Sequence, residues 1–425
     1  MSASLAVIQF AATYLGLLAF AKYRAFIALG SATLFVLLGA TSIGSALGEV
    51  DWNVIMMIAG TMGTVALFIE SRMPARLADL MINRVPNVKW AIIALSLFSG
   101  IVSAFVDNVA TVLMVAPVAL GIAKKLKISP VPGIIAISIS SNLQGAATLV
   151  GDTTSILLGG ATGMSFADFF FLGGKTGMFW IVQIASIAAT IVLWLKLRKY
   201  KQGIANIEPE AVHDYFPSVL LLGTIGLLIL ASFFASSMPA DINGYICVGV
   251  FLIGLLRGII VEKGIGIVRR SFKEIDFFTL MLLASLFIII ASLRNVGVID
   301  KIADFFRAAS KGNLFLMYTM IVWFSVLISA FIDNIPYVAT MLPVVASINA
   351  GMGMEGSYLL YFGLLAGATL GGNLTPIGAS ANITGLGILR KEGFEVSAGT
   401  FMKMSVPFTL AAVTVGYLLI WFIWR

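Results

Sequence analysis

Charge is scarce in this chain: Asp, Glu, Lys and Arg make up 11% of 425 residues, against 60% hydrophobic residues. Soluble domains carry about 25% charged residues, so a soluble fold is excluded and a polytopic membrane protein is indicated. Cysteine occurs once and histidine once, which excludes an internal disulfide and argues against a Cys/His metal cluster. Cys247 lies in an apolar run and reads as a small packing residue. His213, in the polar stretch "KQGIANIEPEAVHDYFP", reads as solvated. The ten-residue alternation of barrel strands is also missing. Apolar runs of ~17–25 residues recur instead, long enough to span a bilayer as helices. The first, "SLAVIQFAATYLGLLAF", lacks a basic leader and a small-residue cleavage site, and is expected to be a retained span. The net charge of +7 suits the loops of a membrane protein better than nucleic-acid binding.

One costly feature is present twice. "SAFVDNVATVLMVAPV" (103–118) and "SAFIDNIPYVATMLPV" (329–344) each bury Asp-Asn in an apolar segment. An ionised carboxylate at mid-bilayer costs roughly 2.5–3.5 kcal/mol even on a lenient insertion scale. The duplication extends further. "GEVDWNVIMMIAG" (48–60) matches "KEIDFFTLMLLAS" (273–285), and Ala78-Asp79 matches Ala303-Asp304. Thr148-Leu-Val-Gly151 matches Thr375-Pro-Ile-Gly378. Four matches in order, with slowly drifting offsets, indicate two diverged copies.

The copies are expected at 1–200 and 217–425, joined by a cytoplasmic linker at 201–216. Spans are expected near 4–20, 25–47, 52–70 and 176–196, then 217–236, 243–260, 277–293 and 404–424. Broken helices are expected at 131–163 and 357–389. Residues 90–123 and 313–347 fit re-entrant hairpins with Asp-Asn at the tip, partly because basic residues flank both ends of the first. With the N-terminus outside, only Lys175, Arg294, Lys301, Arg307, Lys311 and Arg425 of the 27 Lys and Arg face outward, as the positive-inside rule requires. Five spans per copy is odd, so the copies point in opposite directions: an inverted-topology repeat, the layout of many secondary transporters. The expected fold is therefore all-α, with about 10 transmembrane helices, two re-entrant hairpins and two discontinuous helices.

The candidate site follows from where polar groups interrupt apolar spans. Hairpin tips supply Ser103, Asp107, Asn108 and Thr111, and Ser329, Asp333 and Asn334. The broken segments "SNLQGAATLVGDTTSILLGG" and "GGNLTPIGASANITGLG" supply Asn142, Thr148, Gly151, Asp152 and Ser155, and Asn373, Thr375, Gly378 and Asn382. Irregular backbone at membrane depth is tolerated only where protein or a water-filled cavity satisfies it. Carbonyls, amides and a carboxylate together suit a desolvated cation, so Na+ is expected at Asp107, Asn108 and Gly151 and at Asp333, Asn334 and Gly378. The plainer readings are helix capping by the two tip aspartates and close packing by small residues at the breaks. Asp152 matches Ala379 in the other copy, and either exchanges a proton for cargo or caps the helix after it. No buried base is evident beside these carboxylates: Arg257 reads as snorkelling, Glu70 as a span end near Arg72, and Glu355 as interfacial. "SFADFFFLGG" and "GFEVSAGTFMKM" read as interfacial helices or as plain loops.

Paired "DNVAT" and "DNIPYVAT" hairpins, with "GAATLVGD" and "GGNLTPIGASAN" breaks, resemble the ion transporter superfamily. Within it the chain is most similar to the ArsB/NhaD group and the branch containing the melanosomal P protein and its bacterial relatives. The resemblance covers nearly the whole chain. It implies a scaffold domain and a transport domain of hairpins and breaks that move as an elevator. Sodium/dicarboxylate symporters of the superfamily have Ser-Asn-Thr tips. Here Asp107 and Asp333 replace the serine and Val109 and Ile335 the threonine, which disfavours a dicarboxylate.

The expected function is a plasma-membrane secondary transporter for a small inorganic ion or metalloid, of the arsenite or small-anion type, coupled to Na+ or H+. Na+/H+ antiport is the alternative. A citrate symporter, a passive channel and an intramembrane aspartyl protease rank lower; the protease lacks G-x-G-D at either tip. No cofactor is expected apart from the coupling ion. The expected partners are the bilayer and the ion, without nucleic acid, and the layout permits a homodimer.

Overall fold

The computed structural model describes residues 1–203, 208–234 and 237–425. Helices α1 (Ala3–Ala19), α2 (Arg24–Leu37) and α3 (Ile43–Ala46) lead into α4 (Trp52–Glu70) and α5 (Met73–Ile82). Then come α6 (Val88–Ser103), α7 (Asn108–Leu126), α8 (Val131–Gln144), α9 (Thr153–Thr162) and α10 (Met178–Lys196). After the linker, α11 (Phe216–Phe233), α12 (Ile242–Glu262) and α13 (Gly266–Glu274) precede α14 (Phe277–Asn295) and α15 (Val298–Ser310). The chain ends with α16 (Leu314–Ser329), α17 (Asn334–Gly351), α18 (Leu359–Leu365), α19 (Ser380–Lys391) and α20 (Ala398–Trp424). Among the described residues, seven helices are long and apolar enough to cross a membrane: α4, α7, α10, α11, α12, α14 and α20.

The order α4–α10 recurs as α14–α20, and the helix starts recur with it. Asp51 caps α4 through the Val54 amide at 3.0 Å and Asp276 caps α14 through the Thr279 amide at 3.0 Å. Asn87 and Asn313 likewise cap α6 and α16. Each such cap is worth about 1 kcal/mol and fixes where a hairpin or long helix begins. The halves interlock: α2 packs on α14, and α12 packs on α4. Gly60 permits the second contact, since a Cβ there would stand 2.4 Å from the Cys247 carbonyl carbon. Cys247 is buried at that crossing, a packing residue as expected.

Several expected boundaries shift. The span expected over 25–47 ends at Leu37, where Gly39 takes a left-handed φ of 73°. Residues 165–174 are not an interfacial helix. Gly173 and Gly174, both at positive φ, turn the chain between paired strands β1 (Phe171–Leu172) and β2 (Lys175–Thr176). Residues 393–404 lead directly into α20, which starts at Ala398. The short amphipathic helices are instead α5, α13 and α15, which sequence reading left unassigned. Residues 204–207 of the expected linker, and 235–236 at the end of an expected span, lie outside the described residues. The rest of the linker docks on α5 and the α4–α5 turn: Glu210 N–H donates to Asp79 at 3.0 Å and His213 N–H to the Ser71 carbonyl at 3.0 Å. Glu70 pairs with Arg270 at 2.7 Å rather than with Arg72, because α13 folds back beside the end of α4. Arg257 pairs with Asp214 and lies over the Phe216 ring.

Candidate functional site

Each Asp-Asn dipeptide stands where a hairpin turns. Asp107 is the N-cap of α7, and its Oδ1 accepts the Val109 and Ala110 amides at 3.0 and 3.1 Å. Asp333 caps α17 in the same way, its Oδ1 accepting the Ile335 amide at 3.3 Å. Capping therefore occupies one oxygen of each. The Oδ2 of Asp333 accepts from Ser380 Oγ at 3.1 Å and is ion-paired with Arg24. The expectation that no base accompanies these carboxylates fails at Arg24. This residue starts α2 and lies 309 positions from its partner, so neither spacing nor repeat symmetry announces it.

The breaks hold the tips by matched contacts. Thr148 Oγ1 donates to the Ala104 carbonyl, and Thr375 Oγ1 to the Ala330 carbonyl. Ser155 Oγ donates to the Gly145 carbonyl at 3.1 Å, and Asn382 Nδ2 to that of Gly372 at 3.4 Å. Gly151 and Gly378 let carbonyls converge. A Cβ on Gly151 would meet the oxygens of Gly145, Ala104 and Ser103 at 2.7–2.9 Å. One on Gly378 would meet those of Gly372, Ser329 and Ala330 at 2.6–2.8 Å. Hard oxygens gathered beside a carboxylate-bearing tip are the donor type that alkali and alkaline-earth cations take.

A central network joins the halves. Asn108 Nδ2 donates to Asn142 Oδ1 at 3.0 Å, and Asn142 Nδ2 donates to the Thr369 carbonyl at 2.7 Å and to Asn373 Oδ1 at 3.2 Å. Asn373 Nδ2 continues to the Ile139 carbonyl. On the other side, Asp152 Oδ2 accepts from Thr154 Oγ1 at 3.0 Å and from Asn334 Nδ2 at 3.2 Å. Asp152 is the N-cap residue of α9 yet makes no side-chain cap bond. Its Oδ2 engages the Thr154 hydroxyl and the Asn334 amide rather than a cap bond to the start of α9.

These groups open on a cavity of about 140 Å³. At roughly 30 Å³ per water, that is room for a small hydrated ion. Asp107, Asn108, Asp152 and Asn334 line it, with Arg24, Thr153, Glu274, Asp276, Thr279 and Ser380. Four carboxylates thus face one guanidinium. Asp333 lies behind Arg24 and Ser380. The remaining expected residues stand outside the lining. Ser103, Thr111, Asn142, Thr148, Gly151, Ser155, Ser329, Asn373, Thr375, Gly378 and Asn382 are packed behind it, mostly holding backbone. Ser329 Oγ donates to the Ala368 carbonyl and Thr111 Oγ1 to that of Val106, whereas the buried Ser103 hydroxyl has no partner among the described residues. Sequence reading missed Glu274, Asp276 and Thr279; the matched "GEVD" and "KEID" blocks were a signal that could have found the two acids.

A family described as "Citrate transporter" (CitMHS) matches residues 14–367. An uncharacterized transporter of Mycobacterium tuberculosis is 32% identical over 379 residues, covering 88% of this chain and 86% of that protein. The human P protein is 26% identical over 449 residues, covering 87% of this chain and 54% of that protein. Among solved structures, the Alcanivorax borkumensis YdaH transporter superposes with a TM-score of 0.58 at 15% identity, covering 88% of this chain and 86% of its own. Neisseria gonorrhoeae MtrF, of a class of antimetabolite efflux pumps, superposes with a TM-score of 0.54 at 16% identity, covering 87% of this chain and 80% of its own. At these identities the likeness is one of fold.

Proposed function

This chain belongs to the CitMHS citrate transporter family of the ion transporter superfamily, and on that premise we propose a secondary active transporter. It carries a small inorganic ion or metalloid across the plasma membrane, coupled to Na+ or H+. One observation carries the reading: Asp107 and Asn108 from one hairpin, Asn334 from the other, and Asp152 from a break face a single small cavity. Na+ would sit against Asp107 and the carbonyls around Gly151, and against Asp333 and those around Gly378. A proton would be carried by a carboxyl of the lining. The hairpins, the breaks, α10 and α20 form the moving unit of an elevator, and α1, α2, α4, α11, α12 and α14 its frame. With the N-terminus outside, the cavity opens beside the ends of α4 and α14 that face the cytoplasm.

Na+/H+ antiport is the second reading, favoured by the acid excess of the lining. Citrate or another free anion meets only Arg24 there, and Asp333 already engages it. Neutral As(OH)3 needs hydrogen-bonding partners alone and is not disfavoured. Flux into proteoliposomes under imposed pH and Na+ gradients tests both readings, with arsenite, chloride, citrate and Na+ as candidate cargo. Solute accumulation that follows either gradient supports the first; Na+ movement driven by a pH gradient without another solute supports the second. Flux indifferent to both gradients would mean a passive channel and end the proposal.

A further inference from the structure

The two hairpin tips match in sequence but not in charge environment. Asp107 accepts only backbone amides and faces the open cavity. Asp333 is contacted by the Arg24 guanidinium, both side chains being largely buried at 22% and 14% exposure. Among the described residues no second arginine lines the cavity or pairs with Asp107. The same α1–α2 pair makes another contact with this hairpin. Tyr14 Oη donates to the Pro336 carbonyl at 2.7 Å and lies 2.5 Å from Thr340 Oγ1. Hairpin α16–α17 is thus tied to α1–α2 at two points, one of them ionic.

We infer that Arg24 is an internal counter-cation for the second ion half-site, occupying in this conformation the place beside Asp333 that a transported or coupling cation takes once α2 and the hairpin separate. The inference rests on the proposed transporter reading and names the residue that keeps that half-site closed to ions. The physical reason is balance of charge. Asp107, Asp152, Glu274 and Asp276 also face the cavity, so a vacant Asp333 would add a fifth uncompensated carboxylate in a poorly solvated place. A guanidinium removes that cost without an ion. Because Arg24 sits on α2 and Asp333 on the hairpin, cation entry at Asp333 and parting of the two elements exclude the closed pair together. A cation then competes with Arg24, and the two are coupled negatively.

The test is a binding measurement, so its failure is distinct from failure of flux. Purified full-length protein in detergent is titrated with NaCl, choline chloride keeping ionic strength constant, and Na+ stabilisation is read as a thermal shift. The Na+ midpoint of Arg24→Gln is expected to fall on the order of tenfold below wild type, within the usual range of site coupling. Arg24→Lys, which keeps the charge, should stay near wild type, and the gain should vanish in Arg24→Gln/Asp333→Asn. An Arg24→Gln midpoint equal to wild type, or a gain that persists in the double variant, overturns the inference. Should Arg24→Gln not fold, Tyr14→Phe decides. It removes the other tie between α1–α2 and the hairpin, so the two elements part more readily and the Na+ midpoint should fall below wild type. A midpoint equal to wild type would overturn the proposal.

Discussion

Asn334 donates its side-chain amide to Asp152 across 3.2 Å, tying the tip of one hairpin to the break of the opposite half. Asn108, its repeat counterpart, donates to Asn142 instead, and the residue matching Asp152 in the other half is Ala379, which has no side-chain acceptor. One substitution between the copies thus makes the two half-sites chemically different.

Asn334→Ala should leave Asp152 with Thr154 as its remaining side-chain partner. Hydrogen bonds to a charged group are worth about 1.5–3 kcal/mol, and a loss of that order should appear as a lowered melting temperature. Asn334→Asp should be worse, since it sets a second carboxylate against Asp152. Equal melting temperatures for the two variants would mean that Asp152 is not charged in the resting protein.

Thr148→Val and Thr375→Val probe the matched contacts from break to tip. Each removes the hydroxyl that satisfies a buried tip carbonyl, that of Ala104 or Ala330. An orphaned buried acceptor costs about 1–3 kcal/mol. Both variants should therefore lose similar stability, and both should weaken transport by loosening the tips. A large effect at one threonine and none at the other would show that only one hairpin depends on its break. Thermal unfolding and flux of the two variants side by side decide this.

Much of this site was legible because it is duplicated. The offsets that align Asp107 with Asp333 and Thr148 with Thr375 also align the capping residues Asp51 and Asp276, so the repeat reports both fold and site. What lies outside the matched blocks was hidden. Arg24 lies before them and reads locally as the basic end of an apolar helix; only tertiary packing brings it to Asp333. The segments at 165–174 and 393–404 failed for another reason. Both show mixed apolar and polar residues, but Gly173-Gly174 favours a turn over a helix, and the second runs on into a membrane span.

Orientation can be checked by labelling. A cysteine placed in "KKLK" (124–127) should react with impermeant reagent from the cytoplasm, and one beside Asn313 from outside. Cys247 is buried and should add little background. Reaction of both positions from one side would contradict opposed copies and would remove the basis for pairing the two tips in one site.

The proton step is tested at Asp152. Its carboxylate accepts from Thr154 and Asn334 and lines the cavity, and it makes no side-chain cap bond to α9. Asp152→Asn retains the size and an acceptor oxygen for both donors but cannot titrate. If Asp152 served as a cap, a neutral capping residue would substitute at little cost, since Asn and Asp cap about equally well. As a proton carrier it has no neutral replacement. The variant should therefore fold with a melting temperature near wild type yet transport with a flattened dependence on external pH. Proteoliposome flux measured over a pH series reads this directly. Should the variant keep the wild-type pH profile, the proton is carried by another carboxyl, and Asp107, facing the same cavity without a cationic partner among the described residues, is the next to test.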